Sequence, residues 1–397
     1  MQHHMTEFEF TGRQMRGKRV AVIGAGIGGL TAALAFARAG AVVEVFEQAA
    51  EIKEVGAGIQ ISPNGARTLI ALGCGPAMEA ASLKAAHVMP VDALTGRKVT
   101  LFNLQDQMPP YRFFHRASLI GLLARAAQDA GAKIYLGVRA VSFGPDGGAS
   151  TSEGPIKADL IVGADGIHSI SRVLTNGAAE PTFTGQVAWR AVVPLRKPMV
   201  GAQVWMAPRR HVVMYPLMEG LLNIVAVQER KTWAAEGWHH ADDPAHLQAA
   251  FADCASGLQD VLSKVEAPLI WGLFRHPVAD VWHTKSVAIL GDAAHPTLPF
   301  LAQGANLAIE DAFVMARCCD VSTDVQAGLA RYEALRKPRV TRAIAAANAN
   351  ARNYHLSGIQ RRVAHLGLKT LGAVAPQAFL NRLDWLYGYD VTQNDAV

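Results

Sequence analysis

A histidine and a tyrosine on one short segment have the types and spacing that suit proton chemistry. His211 and Tyr215 lie in the sequence Arg-His-Val-Val-Met-Tyr, where the β-branched residues predict a β-strand. Because side chains alternate between the two faces of a strand, His211, Val213 and Tyr215 share one face. A histidine titrates near neutral pH and could therefore take up a proton. The competing interpretation is a structural or surface histidine.

Other reactive patterns are absent from the sequence. No Ser-His-Asp arrangement, paired carboxylates or metal-ligand set occurs at diagnostic spacing, so no metal site is predicted. The cysteines stand at positions 74, 254, 318 and 319 without metal spacing. Adjacent cysteines rarely form a disulfide, and a reduced, cytoplasmic protein is therefore expected. The N-terminus lacks a basic-then-apolar signal pattern, which agrees with that expectation.

A glycine-rich turn near the N-terminus predicts a dinucleotide site. Gly24, Gly26 and Gly29 fit G-x-G-x-x-G, with Gly28 inside the motif. An apolar run precedes the turn, a helical pattern follows it, and a second apolar run ends on Glu47. The glycines allow a backbone to approach a pyrophosphate at a helix N-terminus, and Glu47 is placed to bind a ribose. The motif alone does not say which dinucleotide binds.

Two further turns follow buried apolar runs in the same way. Asp165-Gly166 and Gly291-Asp292 each end a predicted strand. A second glycine-rich loop, Val55 to Asn64, precedes a helix predicted from about Ala66. Ligands of open α/β sheets bind at the carboxyl ends of the strands, so these turns are expected to surround one crevice.

The elements around these turns predict an α/β protein with a doubly wound, Rossmann-like domain and an inserted antiparallel sheet. Tryptophans and β-branched alternation dominate the inserted segment, which also carries a helical stretch. The chain ends in Ala-rich helices. The predicted boundaries are 16–84, 105–182 and 278–350 for the nucleotide-binding domain, 85–104 and 183–277 for the inserted domain, and 351–397 for a C-terminal helical segment.

Composition describes a globular protein rather than a nucleic-acid or membrane protein. The 397 residues are 50% hydrophobic and 18% charged, with a net charge of +5. Basic residues are dispersed without interleaved aromatics, so no nucleic acid partner is expected. The one concentration, residues 331–342, is interpreted as a solvated helix face, the alternative being an attractor for an anionic cofactor or substrate. No apolar run is long enough to predict a transmembrane helix.

The motifs, taken in order, resemble the single-component flavoprotein aromatic hydroxylases of the para-hydroxybenzoate hydroxylase type. The resemblance covers nearly the whole chain and is carried by GAGIGG, HRASL, VGADG and GDAAHPTLPFLAQGANLAIEDA. Within that family the chain looks most similar to salicylate hydroxylases and 6-hydroxynicotinate 3-monooxygenases, through GAGIQ, RHVVMY, AQGA and WLYGYD. The dinucleotide implied by this resemblance is FAD.

The resemblance implies a set of FAD contacts distributed over all the turns. They are Gly24, Gly26, Gly28 and Gly29 by the phosphates, Glu47 and Gln48 at the adenosine ribose, the Ala140 backbone at the adenine, Arg116 at the ribityl-phosphate region, Asp292 at the ribityl chain, Gly58, Ile59 and Gln60 beside the isoalloxazine, Asp165 and Pro299 within their motifs, and the backbone N–H groups of Gly304, Ala305 and Asn306 at the flavin pyrimidine edge. Helix N-terminal donors stabilise negative charge on a reduced flavin.

The resemblance also implies a reaction. NAD(P)H reduces FAD, O2 adds to give a C4a-hydroperoxide, and its distal oxygen attacks an electron-rich ring of a small aromatic acid. A base near the substrate hydroxyl helps, and His211 is the first candidate, with Tyr215 positioning the ring. Arg190 and Gln203 are candidate carboxylate contacts, and His295 is interpreted as structural support. No second nucleotide motif distinguishes NADH from NADPH, and a homodimer is one expected assembly.

Three positions depart from the family pattern. Ala302 and Ala305 replace glycines that are common in the wider family, although AQGA is familiar in the salicylate-like branch. Phe300 stands where the hydroxynicotinate enzymes tend to carry histidine, which favours a salicylate-like substrate. Two alternatives stay open: a flavin monooxygenase of a non-phenolic heteroaromatic or polyketide, and a non-catalytic FAD-binding redox partner or regulator.

Overall fold

Two large sheets, one parallel and one mostly antiparallel, form the framework of the molecule. The computed structural model describes residues 7–52, 57–143, 148–230 and 240–393. The strands of this part of the chain are β1 (Arg19–Ile23), β2 (Val42–Glu47), β3 (Gly58–Ile61), β4 (Ser82–Lys84), β5 (His87–Asp92), β6 (Arg97–Lys98), β7 (Phe102–Asn103), β8 (Arg112–His115), β9 (Lys133–Leu136), β10 (Ala140–Phe143), β11 (Ala149–Thr151), β12 (Gly154–Ile156), β13 (Leu160–Gly163), β14 (Thr182–Pro194), β15 (Ala202–Ala207), β16 (Arg210–Leu217), β17 (Leu221–Glu229), β18 (His240–Ala241), β19 (Leu269–Arg275) and β20 (Val287–Ile289).

Helices pack on both sheets, and the C-terminal part of the chain is helical. They are α1 (Ile27–Arg38), α2 (Pro63–Ala71), α3 (Gly75–Ala80), α4 (Arg116–Asp129), α5 (Ile170–Asn176), α6 (Pro244–Ala250), α7 (Ser256–Leu262), α8 (Gly304–Val321), α9 (Val325–Tyr354), α10 (Gly358–Val374), α11 (Pro376–Asn381) and α12 (Asp384–Tyr387). The predicted mixed α/β class is confirmed. Most of the predicted glycine-rich hairpin at 146–148 and the start of the Val55–Asn64 loop lie outside the described residues.

The parallel sheet brings the three predicted turns together. Its strand order is β20-β13-β1-β2-β9, and every pairing is parallel. The central strand β1 is buried on both faces after its first residue, which explains its unbroken apolar sequence. Because β20, β13 and β1 are neighbours, the turns at Gly291, Asp165 and Gly24 lie side by side at the carboxyl edge.

The second sheet has two chemically different faces. Its strands run in the order β18-β19-β14-β17-β16-β15-β5-β6, with β7 beside β5. Tryptophan, leucine and other apolar side chains of one face form a core with α6 and α7, in which Trp189, Phe251 and Leu258 are buried. The alternation of the strands therefore leaves the opposite face for other contacts.

The basic segment 331–342 lies in α9 and does not have the predicted role. Arg336 is fully buried and pairs with Glu310 at 2.7 Å and Asp311 at 2.8 Å, while Arg339 pairs with Glu310 at 2.7 Å. The interpretation as a solvated face is therefore wrong for these two arginines. So is the alternative of an attractor for an anionic ligand, because carboxylates of α8 already neutralise them.

The described helices include none that combines the length and apolarity needed to cross a membrane. Within the same residues, His, Cys, Asp and Glu form no group arranged to hold a metal ion.

Candidate active site

A cavity of about 280 Å³ lies between the carboxyl edge of the parallel sheet and the free face of the second sheet. It is lined by residues of the glycine turn, of β3, of the β20–α8 connection and of the second sheet. Twelve of the residues predicted for cofactor or catalysis line it: Gly26, Gly28, Gly58, Ile59, Gln60, Arg116, His211, Tyr215, Asp292, Pro299, Gly304 and Ala305.

A second depression, of about 490 Å³, lies on the outer surface of α9. It is lined by His283, Glu333, Lys337 and neighbouring residues. It is open to solvent and away from the carboxyl ends of the strands, where α/β sheets bind ligands. The cavity between the sheets is therefore the candidate site.

The four glycines of the first turn have different tasks. Gly24 has a φ of 101°, and a Cβ there would lie 2.5 Å from the Ala164 oxygen. A Cβ on Gly28 would lie 2.7 Å from Leu290 Cδ1, and one on Gly29 would overlap the Gly24 oxygen. At Gly26, in contrast, a Cβ would meet only open space. Gly24, Gly28 and Gly29 therefore serve the packing of the turn, whereas Gly26 leaves room for a ligand beside the backbone.

Two helix N-termini point their free N–H groups toward this cavity. Gly26 is the N-cap of α1 and Gln303 the N-cap of α8, and neither helix has a side chain capping its first turn. The first amides of a helix lack intrahelical acceptors, and the helix dipole is positive at that end. The cavity can consequently hold negative charge at two separate points.

Several predicted cofactor residues lie at the turns but do not line the cavity. Glu47 accepts hydrogen bonds from the backbone N–H groups of Ala25 (2.7 Å) and Ala49 (2.9 Å). Its carboxylate thereby ties the glycine turn to the end of β2. Gln48 beside it is exposed, and Ala140 begins β10 on another sheet.

Asp165 and Asn306 hold neighbouring segments in place. The Asp165 carboxylate accepts hydrogen bonds from the Ser169 hydroxyl (2.6 Å) and the Ser171 backbone (3.0 Å), which fixes the start of α5. The Asn306 side chain accepts from the Ser62 N–H (3.0 Å) and donates to the Gln60 oxygen (3.1 Å). Asn306 therefore fastens the N-terminus of α8 to β3.

Asp292 and Arg116 place opposite charges at the cavity wall. The Asp292 side chain borders the cavity and is exposed to it. Desolvation raises the pKa of Asp292, and His295, followed by Arg116, acts against that rise. Arg116 opens α4 and its backbone N–H bonds the Ala57 oxygen at 2.8 Å. These groups suit a polar ligand with hydroxyl groups.

The second sheet presents a regular array of side chains to the cavity. His211, Val213 and Tyr215 line it together, as the alternation of β16 predicts. Val225 lies opposite both Val213 and Arg190 across the paired strands, so Arg190 shares this face. Arg190 also lines the cavity, and its guanidinium lies 5.2 Å from the centre of the Trp271 ring.

The other predicted carboxylate contact, Gln203, is not in the cavity. It lies opposite Met214, which faces the apolar core on the far side of the sheet. Its oxygen accepts a hydrogen bond from the Trp205 indole at 2.8 Å. The alternation of β15 therefore contradicts a role for Gln203 in carboxylate binding.

Tyr215 is packed beneath β3. Its ring stacks on Phe113 with centroids 5.0 Å apart, and a Cβ on Gly58 would lie 2.6 Å from it. Burial raises the pKa of Tyr215, so its hydroxyl stays protonated at neutral pH. Tyr215 can position a ligand and donate a hydrogen bond, but it is a poor base.

His211 is 2% exposed and has a defined partner for one ring nitrogen. Its Nδ1 lies 2.8 Å from Nε2 of His355. Burial, followed by the effect of His355, moves the pKa of His211 well below its usual value. The unperturbed pKa on which the sequence argument rested therefore does not apply, and His211 is expected to be neutral in the resting protein.

The residues that the sequence did not single out are His355 and Glu229. His355 follows the last turn of α9, and its Nδ1 lies 3.0 Å from a Glu229 oxygen. His211 and His355 are 144 positions apart, and no motif connects them. Only their shared proximity in the folded chain reveals the arrangement. By contrast, His295 bonds Asp311 at 2.5 Å and stacks on Trp282, in agreement with structural support.

Comparison with known proteins identifies the family. A family profile described as an FAD binding domain matches residues 18–347. The 3-amino-4-hydroxybenzoate 2-monooxygenase PtmB3 of Streptomyces platensis is 33% identical over 390 residues, covering 94% of this chain and 96% of that protein. The 6-hydroxynicotinate 3-monooxygenase of Bordetella bronchiseptica is 28% identical, covering 95% of this chain and 97% of that protein.

A solved structure of a salicylate hydroxylase substrate complex has the same fold. It gives a TM-score of 0.80 at 23% identity, covering 96% of this chain and 98% of that chain. Together with the sequence matches, this confirms the resemblance seen in the motifs. The chain belongs to the FAD-dependent aromatic monooxygenases, which are NAD(P)H-dependent flavoproteins.

The cavity fits FAD on physical grounds. The open space beside Gly26 admits a backbone-bound diphosphate, and the uncapped N-termini of α1 and α8 offer donors at both ends of a long anionic molecule. Asp292 and Arg116 border the region between them with polar groups.

Proposed function

We propose that the protein hydroxylates the ring of a small aromatic acid that carries an ionisable hydroxyl group. Bound FAD supplies the electrons of NAD(P)H and the activation of O2. The observation that carries the proposal is the face of the second sheet, where a base and a cation border one cavity. His211 would take the hydroxyl proton, and Arg190 would bind the carboxylate.

The shape of that face supports a single ring with two polar ends. Val213, Val225 and Val227 line the cavity between His211 and Arg190 and offer an apolar surface. Arg190 lies on β14, two strand spacings from β16, and is offset from His211 by two residues along the strands, so their backbones are about 12 Å apart. This separation suits an aromatic ring with a hydroxyl at one end and a carboxylate at the other.

The environment of His211 favours a hydroxybenzoate over a hydroxynicotinate. The Phe300 ring lies 5.8 Å from the His211 ring and packs with Leu298 and Trp271, so it adds apolar rather than polar surface. A pyridine nitrogen would find no donor in Phe300. The 33% identical relative is also named for a hydroxybenzoate.

We also propose how the predicted domains and residues divide the work. FAD would be bound by segments 16–84, 105–182 and 278–350, and the substrate by segments 85–104 and 183–277. Residues 351–397 would form a separate C-terminal helical segment. Gly26, Arg116, Asp292, Gly304 and Ala305 would contact FAD, since all of them line the cavity. Glu47 would exchange one backbone partner for a ribose hydroxyl.

The test is NADH and NADPH oxidation by the FAD-loaded protein with salicylate, 3-hydroxybenzoate, 3-amino-4-hydroxybenzoate and 6-hydroxynicotinate. We expect a benzoate to accelerate oxidation and to yield a product that has gained one oxygen atom from ¹⁸O2, measured by mass spectrometry. Protein that binds FAD but shows no acceleration with any of these compounds would contradict the proposed substrate class.

Arg190→Gln serves as the matched variant. Loss of a charge-assisted hydrogen bond of about 1.5–3 kcal/mol should raise KM for the acid roughly 10- to 100-fold. The KM for the corresponding phenol without a carboxylate should stay within about twofold. Equal losses for both compounds would remove Arg190 from carboxylate recognition.

A further inference from the structure

A row of three hydrogen-bonding side chains leads from the cavity to the outside of the molecule. His211 borders the cavity, His355 is 6% exposed, and the Glu229 side chain is 34% exposed. The links are His211 Nδ1 to His355 Nε2 at 2.8 Å and His355 Nδ1 to Glu229 Oε1 at 3.0 Å. Beyond Glu229, Arg209 forms an ion pair at 3.1 Å.

Strand pairing in the second sheet brings His211 and Glu229, the two ends of this row, onto the same face. His211 lies opposite Val227 on the neighbouring strand, and Glu229 follows two residues later on the same face. The end of α9 then places His355 over both residues. The backbone oxygen of His355 also accepts a hydrogen bond from the Arg209 N–H at 3.1 Å. The geometry is therefore held by backbone as well as by side chains.

The carboxylate determines where the imidazole protons are. An ionised carboxylate only accepts hydrogen bonds, so His355 must donate from Nδ1 and is left with a lone pair on Nε2. His211 must then donate from Nδ1, which leaves its Nε2 without a proton. Since His211 borders the cavity, this Nε2 is the acceptor available to a bound hydroxyl group.

We propose that His355 and Glu229 form a proton relay that carries the hydroxyl proton of the substrate from His211 to the protein surface. The inference rests on the proposed function, because it needs a substrate with an ionisable hydroxyl. His355 and Glu229 act through His211 and do not touch the substrate.

The transfer balances in protons and charge. The substrate O–H bond breaks as His211 Nε2 gains a proton, His211 Nδ1 passes its proton to His355 Nε2, and His355 Nδ1 passes its proton to Glu229. Each imidazole gains one N–H and loses one, so both stay neutral. The substrate becomes a phenolate, and Glu229 releases the proton to water. Transfer in the reverse direction returns a proton to the product oxygen and restores both tautomers.

The other groups near His211 are poor proton acceptors, so the path through His355 and Glu229 is the favoured route for the proton. Burial lowers the pKa of His211 and of His355, so neither ring holds an extra proton for long. Tyr354, from α9, lies against His211, but burial raises its pKa, and it already accepts a hydrogen bond from Asn350. Arg209 faces Glu229 and cannot accept a proton.

The experiment measures proton release without turnover. FAD-loaded protein is mixed anaerobically, without NAD(P)H, with each of the four aromatic acids named above in weakly buffered solution containing a pH indicator. Stopped-flow absorbance follows the released proton, and the ultraviolet difference spectrum follows the bound phenolate. The variants are His355→Gln and Glu229→Gln, because glutamine keeps a donor and an acceptor in similar positions but does not shuttle protons.

We expect both variants to release the proton at least about tenfold more slowly than the unmodified protein, in line with the contribution of general acid–base groups. Their dissociation constants for the acid should change less than about threefold, since the hydrogen bonds persist. The control is Arg210→Gln, whose side chain pairs with Asp253 away from the cavity, and which should release the proton at the original rate.

Proton release at an unchanged rate in both glutamine variants would overturn the relay and leave His355 as a residue that positions His211. The proposed function would survive that result. If the unmodified protein neither binds any of the four acids nor oxidises NADH faster with them, the proposed function fails and the relay fails with it. FAD content and circular dichroism of each variant report whether it is folded.

Discussion

At the scale of single residues, Ala302 shows what the departure from the family's glycine costs. Its φ of 52° and ψ of 37° place it in the left-handed region, just before α8 and beside the cavity. A residue with a Cβ pays about 1–2 kcal/mol for that conformation. Ala305, the second departure, lies inside α8 with ordinary helical geometry. The same replacement therefore has opposite consequences at the two positions.

Ala302→Gly is expected to increase the free energy of unfolding by about 1 kcal/mol, because glycine relieves the left-handed strain. Ala305→Gly should decrease it by about 0.5–1 kcal/mol, since glycine weakens a helix. Urea denaturation of the two variants measures both values. A change of the same sign at the two sites would mean that the backbone of Ala302 is not strained in solution.

At the scale of elements, a buried ionic cluster fixes α8 against α9 and α2. Arg336 pairs with Glu310 and Asp311, and Asn64 of α2 donates to Glu310 at 2.7 Å. Desolvation opposes ionisation of both carboxyl groups, but Arg336 and Arg339 lower the pKa of Glu310, and His295 followed by Arg336 lowers that of Asp311. Glu310 and Asp311 lie about two helical turns behind the N-terminus of α8 that faces the cavity. The cluster therefore supports the segment that is proposed to bind the flavin.

Arg336→Met is expected to destabilise the protein by about 3–5 kcal/mol, because it removes the buried cation shared by two buried carboxylates and leaves Glu310 paired only with Arg339 and Asp311 only with His295. Arg331→Met, on the exposed side of the same helix, should change stability by no more than about 0.5 kcal/mol. Thermal or urea unfolding at neutral pH measures both variants.

The stabilising effect of Glu310 and Asp311 depends on pH in a defined direction. The folded-state pKa values of Glu310 and Asp311 are lowered, so their stabilising effect is complete above the unfolded values near pH 4 and is lost as pH falls through the folded values. The difference in free energy of unfolding between Arg336→Met and the unmodified protein should consequently become smaller as the pH is lowered. A difference that is constant down to the acid transition would assign the effect to packing rather than charge.

At the scale of the whole molecule, the cavity joins two sheets that otherwise have separate cores. The parallel sheet and α8 share one apolar cluster, and the second sheet with α6 and α7 forms another. A ligand that contacts both sides binds only the folded arrangement and stabilises it by mass action. FAD should thus stabilise the entire chain and not the first domain alone.

FAD at about 100 times its dissociation constant should add about 2.7 kcal/mol to the free energy of unfolding, seen as a higher Tm in a thermal scan. Gly26→Val should abolish this increase, because the side chain fills the open space beside the turn. Without FAD, the variant should unfold within about 1 kcal/mol of the original, as expected for an N-cap change. An undiminished FAD effect in the variant would place the diphosphate elsewhere.

Local features on both sides of the cavity could be predicted from the sequence, whereas one feature that depends on strand pairing could not. The glycine turn, the strands that end at Asp165 and Gly291, and the shared face of His211 and Tyr215 were all predictable, because each depends on residues close together in the chain. The mixed α/β class and the flavin monooxygenase family followed from their order. The prediction that Gln203 binds the carboxylate was wrong, because the face on which Gln203 lies depends on how β15 pairs with β16.

The sequence by itself determined the local devices of this protein: a turn that admits a diphosphate, strands with two distinct faces, and a histidine on the face of a tyrosine. Backbone preference and side-chain alternation act over a few residues, so these features are visible without a structure. The tertiary structure decided which groups meet. Burial of Arg336 among carboxylates, the lowered pKa of His211, and the path through His355 to Glu229 arise from contacts between segments far apart in the chain. Such contacts depend on packing and desolvation, which no local pattern encodes.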